Sequence, residues 1–150
     1  MQKKIFIFLL AIAIVENCKG QIKDSSAAIF SQLQKSYVDA NSPDKDKFDR
    51  LIKRDLEHYF SGIYGHTVLS TEFLRIGPTQ NGVAYPKYYL WVKIYKANKL
   101  VNQGAARIEA IEKKRFEVTD FVSITEIRNN SKDIYSIFPF LVCEKIKSRL

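Results

Sequence analysis

Cysteine and histidine are scarce in this 150-residue chain: Cys18, Cys143, His58 and His66 are all there are. A single cysteine in the body of the chain excludes an intramolecular disulfide there, so the fold has to rest on an apolar core. Cys143 follows Phe138-Pro139-Phe140-Leu141-Val142, a setting for a buried and inert thiol. A reactive thiol needs a neighbouring base or cation, and no histidine lies in the C-terminal third. Asp55, His58 and His66 are of types that bind zinc, but their spacing fits no zinc signature. No metal and no cofactor is therefore expected. Internal repeats, low-complexity tracts and a dividing linker are also missing, and there is no ribonucleoprotein-type motif. The N-terminal apolar run, Ile5 to Val15, has eleven residues. A membrane-spanning helix needs about 20.

What that run does resemble is the core of a secretory leader. Lys3 and Lys4 precede it, and polar Glu16, Asn17 and Lys19 follow. Small residues at Cys18 and Gly20 place the cut before Gln21, giving a signal peptide over 1–20 and a single domain over 21–150. Lipidation at Cys18 is the less favoured alternative, because Glu16 and Asn17 are neither small nor apolar. The layout is similar to leaders of Gram-negative bacteria, so the expected location is periplasmic or secreted.

Charge is the next bound. The chain has 24 basic and 16 acidic residues. Loss of Lys3, Lys4, Lys19 and Glu16 with the leader leaves 21 and 15, a net charge of +6. The excess favours anionic partners, but the basic residues are spread along the chain as on a solvated surface. With no nucleic-acid motif and an export signal, nucleic acid is not an expected partner. Membrane contact is expected only through export or Cys18 lipidation.

Two helices are expected first. One runs from about Asp24 to Ala40, capped by Asp24 or Ser25, with Ala27, Phe30, Leu33 and Tyr37 at helical spacing. The second is capped by Ser42 with Pro43 in its first turn and continues to about Phe60. It places Phe48, Leu51, Ile52, Leu56 and Tyr59 on one face, and Gly62 and Gly65 end it. The period then changes to two. Strands are expected at Thr67–Ile76, Tyr88–Lys96, Leu100–Glu112 and Arg115–Val122, with tight turns at Ala97-Asn98-Lys99 and Lys113-Lys114. Gly104, Ala105 and Ala106 predict a bulge, a bend, or a helix passing close to the sheet. Ser123-Ile124-Thr125-Glu126 reads as a capping box, with Val122 and Ile127 as its staple. A last helix is expected over Ser136–Arg149, with Phe138, Leu141, Val142 and Ile146 inward.

Strands joined by short turns pair antiparallel, and helices must cover a face of the sheet. The class is α+β: two N-terminal helices, a four-stranded antiparallel sheet, open or curled, and a C-terminal helix. In element order alone this is broadly similar to cystatin-like and nuclear-transport-factor-2-like arrangements. The terminal helix departs from both, since they finish on a strand.

Function is less legible. Tyr89, Trp91, Lys93 and Tyr95 share one face of the second strand, an aromatic and basic row suited to docking a protein or a small ligand. The opposing reading packs that row beneath helices, with Leu90, Val92 and Ile94 open or covered by a second copy in a homodimer. His66, Glu109 and Asp120, with Arg107, are the candidates for acid–base chemistry in a concave sheet. For Glu109 an ion pair with Lys93 is the simpler expectation, and for Asp120 a turn before Ser123. An exported, non-enzymatic binding domain is the leading expectation. A nuclear-transport-factor-2-like pocket protein or enzyme, and a periplasmic inhibitor or immunity-type protein, are the alternatives.

Overall fold

The computed structural model describes residues 27–81 and 83–150. The expected leader over 1–20, Cys18 and the expected caps Asp24 and Ser25 lie outside the described residues. The chain divides into two compact units, Met1–Ser36 and Tyr37–Leu150. A first helix, α1, covers 27–41. Among the described residues no helix is long and apolar enough to cross a membrane.

Helix α2 runs over Lys45–Tyr64 from an N-cap at Asp44. Its start lies beyond the expected Ser42 cap, because the Ser42 hydroxyl is used elsewhere: it shares a 2.8 Å hydrogen bond with the Tyr88 phenol. The helix passes through Gly62 and stops at Gly65, whose φ of 78° is open to glycine at little cost. Leu51, Ile52, Leu56 and Phe60 form its buried stripe. Phe60 thus takes the inward place expected for Tyr59, which is exposed.

The sheet has four antiparallel strands in the order β1-β2-β3-β4, with no closure. They are β1 Val68–Phe73, β2 Lys87–Lys96, β3 Lys99–Ile111 and β4 Arg115–Ser123. β1 is shorter than expected, since the chain bends over 74–77 toward Gly77, at φ 72°. Both following hairpins turn through two residues of positive φ, Ala97-Asn98 and Glu112-Lys113. Such turns match the right-handed twist of paired strands. Register shifts fall at Ile94/Tyr95 and Arg107/Ile108. The small Gly104 marks a close approach of β4, not a bulge or a passing helix: a Cβ there would lie 2.2 Å from the Val122 carbonyl oxygen.

After β4 come α3 Ile124–Arg128, α4 Ile134–Ile137 and α5 Phe140–Lys147. The capping box is present in full. The Glu126 amide donates to the Ser123 hydroxyl (3.3 Å) and the Ser123 amide donates to the Glu126 carboxylate (2.8 Å). The single terminal helix expected from Ser136 is instead two short ones. Phe138, at φ −114° and ψ 148°, is extended, because a following proline disfavours helical backbone. The break re-phases α5, so Cys143 turns inward with Val142 and Ile146 while Leu141 is 72% exposed.

Two cores result, one on each side of the sheet. On the first, α2 packs over Leu90, Val92, Ile94, Ala106, Ile108, Ala110 and Phe116. On the second, α3–α5 pack over Leu74, Tyr89, Trp91, Ala105 and Val122 through Ile127, Ile134, Phe138, Val142, Cys143 and Ile146. Polar clamps tie the first layer together. Asp55 Oδ2 accepts from the Phe116 amide at 2.7 Å, and the Asn41 carbonyl accepts from the Lys113 amide at 2.7 Å. Asp55 is therefore a structural tie.

Candidate functional site

The second face of the sheet is only partly covered. Paired residues of antiparallel strands share a face, so the register gives its rows directly. Glu72, Trp91, Ala105 and Val122 form one row, and Leu74, Tyr89, Arg107 and Asp120 the next. α3–α5 lie across these two. Toward the β2–β3 turn, two further rows lie beyond the cover of α3–α5: Ser70, Lys93 and Gln103, then Val68, Tyr95 and Leu100. Val68 is 59% and Leu100 49% exposed, with half-buried Tyr95 between them and exposed Lys93 alongside.

This divides the row of residues singled out from the sequence. Tyr89 and Trp91 are each 3% exposed and belong to the second core. The Tyr89 hydroxyl pairs with that of Thr79 at 2.5 Å, and the Arg149 guanidinium lies 5.5 Å from the centre of a Trp91 ring. Lys93 and Tyr95 remain at the surface, where a ligand can reach them. Leu90, Val92 and Ile94, which the opposing reading left open or under a second copy, are fully buried beneath α2.

The border between covered and open rows is an ion pair, Arg149 to Glu72 at 2.5 Å. Arg149, with smaller contributions from Lys93 and Lys145, holds the Glu72 carboxyl below its ordinary range. Lys96 and Lys99, paired at the hairpin end, belong to the opposite face, where Lys96 Nζ donates to the Tyr64 carbonyl of α2 at 3.0 Å. The open patch is therefore apolar and aromatic in the middle, with Lys93 beside it and the Arg149–Glu72 pair at its border. Sequence periodicity could place Val68 and Leu100 in strands, but their membership of one exposed row with Tyr95 follows only from the register.

Of the acid–base candidates only Arg107 and Asp120 are brought together. His66 lies exposed in the link between α2 and β1. Glu109 pairs with Lys87 at 3.6 Å, not with Lys93, because the register sets Lys87 opposite it and Gln103 opposite Lys93. Asp120 is within β4, not in a turn, and forms an ion pair with Arg107. Arg107 also donates to Thr119 Oγ1 at 3.0 Å and to the Ile137 carbonyl at 2.9 Å, clamping β3 to β4 and α4. It lines a small pocket of about 290 Å³ with Lys87, Tyr89, Gln80 and Ser136. His58 borders an open groove of about 640 Å³ between α2 and β4, with Arg54, Tyr59 and Arg115. No cluster of three or more metal-ligating side chains occurs among the described residues. Cys143 is buried, its thiol donates to the Ile134 and Phe138 carbonyls at 3.4 Å each, and burial raises its pKa.

Comparison with known protein families, curated proteins and solved structures finds no match to this chain.

Proposed function

We propose that the chain is an exported, non-enzymatic binding domain that holds a protein partner against the open end of its sheet. The observation that carries this reading is the exposed cross-strand row Val68–Tyr95–Leu100 beside Lys93, directly next to rows that helices cover. A contiguous apolar strip with a polar rim is a usual mark of a docking surface. Tyrosine adds contact area at small entropic cost. Lys93 beside it favours an acidic partner. Export is supported by the pattern of residues 1–20. An inhibitor or immunity role is the same reading with an enzyme as the partner.

Catalysis has less support. Glu109 and Asp120 are each held by a cation, and His66 stands apart from both. The space between α2 and the sheet is filled by Phe60, Leu56, Phe116 and their neighbours.

The test is co-purification from the native envelope, comparing the unaltered chain with a Tyr95→Ala/Lys93→Glu variant. The unaltered chain should retain a partner that the variant loses, with both unfolding at the same temperature. A partner held equally by both, or none held by either, overturns the reading.

A further inference from the structure

β1 is an outer strand, and among the described residues no strand pairs with its outward side. Their identity follows from one bond: the Leu74 amide donates to the Tyr89 carbonyl at 2.9 Å, in register with the β1–β2 ladder. Alternate residues of a strand turn their backbone groups to opposite sides. Val68, Ser70 and Glu72 therefore bond to β2, and Leu69, Thr71 and Phe73 point their N–H and C=O outward. The same three residues line an apolar groove of about 310 Å³ with Ile52 and Leu56 of α2, bordered by Asp49 and Lys53.

Outer strands are ordinarily blunted by charge, proline or a bulge. β4, the opposite edge, carries Arg115, Glu117 and Asp120 and a register shift at Arg107/Ile108. β1 reads Val-Leu-Ser-Thr-Glu-Phe, with no proline, no lysine and no shift against β2.

We infer that β1 pairs antiparallel with β1 of a second copy about a two-fold axis at Thr71, joining two sheets into one of eight strands. The sequence of the strand is complementary to itself in one register. With Thr71 opposite Thr71, Leu69 of each copy faces Phe73 of the other, and all outward backbone groups of the three residues find partners. The two apolar grooves then meet at the axis. A slip of two residues sets Leu69 against Thr71 and Val68 against Glu72, which wastes both apolar side chains. On the other face the favoured register sets Glu72 opposite Ser70, whose own row contains Lys93. Each copy's Glu72, held by its own Arg149, thus also lies across a small serine from the other's Lys93. That charge match between identical surfaces is what selects a second copy as the occupant.

Sedimentation equilibrium on the protein purified from the cells that make it tests this, from about 1 to about 100 μM, a range that covers weak small interfaces. A concentration-dependent dimer is expected. Thr71→Pro removes an amide that β2 does not use, at an edge where proline is tolerated, and should weaken the dimer at least about tenfold. Leu69→Lys and Phe73→Glu should each weaken it, and the double variant should recover it, since only the stated register brings 69 and 73 together. Near-ultraviolet circular dichroism of each variant checks that the fold is kept. A monomer throughout, a dimer indifferent to Thr71→Pro, or a folded double variant that stays monomeric overturns the inference.

Discussion

Trp91 and Tyr95 stand four residues apart on one face of one strand, yet their surroundings set them in opposite roles. The indole is enclosed by Ala105, Val122 and the terminal helices with a guanidinium across it, while the phenol ends in an open row. Trp91→Ala should lower stability by about 3–5 kcal/mol, the usual cost of emptying a buried aromatic site. Tyr95→Ala should change it by about 1 kcal/mol or less, as at a surface position. Urea unfolding of the two variants measures both, and equal midpoints would contradict the placement of Trp91 in the core. Sequence alternation identified which residues share this face but could not say which face is covered. Leu90, Val92 and Ile94 alternate with Tyr89 and Trp91, so both sides are apolar, and such a strand is buried on both. The division at Trp91/Lys93 depends on where Ile146 and Arg149 come to lie, which no local pattern carries.

At the scale of elements, what was legible is what is decided within a few residues. The tight hairpin turns, the α+β class and the capping box at Ser123 all depend on adjacent side chains, and they stand as the pattern implied. The start of α2 and the continuity of the last helix were misread because distant or adjacent competition won. Ser42 is recruited by Tyr88, and Pro139 forces Phe138 out of helical geometry. The capping box makes a prediction of its own. A hydrogen bond from Lys132 and then the Ser123 amide hold the Glu126 carboxyl at about 2, below its ordinary 4.5. A depressed carboxyl pKa contributes stability that is complete above the unfolded value and is lost as pH falls through the folded one. Acid should therefore erode stability from the ordinary carboxyl range down toward about 2. Glu126→Gln should lower the thermal midpoint at neutral pH and flatten that acid limb. An unchanged profile in thermal scans across this range would remove Glu126 from the account.

For the whole molecule, the consequence is a sheet that needs helices on both sides. Phe138, Val142, Cys143 and Ile146 are all buried against the second face, so the last thirteen residues supply four side chains to the core. Burying each large apolar side chain contributes about 1.5–3 kcal/mol. A domain of ordinary stability has roughly 5–15 kcal/mol in total. Truncation after Ile137 should therefore abolish cooperative thermal unfolding. A truncated chain with the midpoint of the full one would show that α5 contributes nothing to the second core.

The late position of that core in the chain sets a timetable. During synthesis from the N-terminus, α2 and the meander are complete once Ser123 has emerged, and the first core can consolidate from segments close in sequence. Tyr89, Trp91 and Leu74 then stay bare until Ile146 follows. Every nascent chain thus passes through an interval in which one side of a formed sheet is aromatic and uncovered. That interval ends only when α5 docks and its Val142, Cys143 and Ile146 close the face.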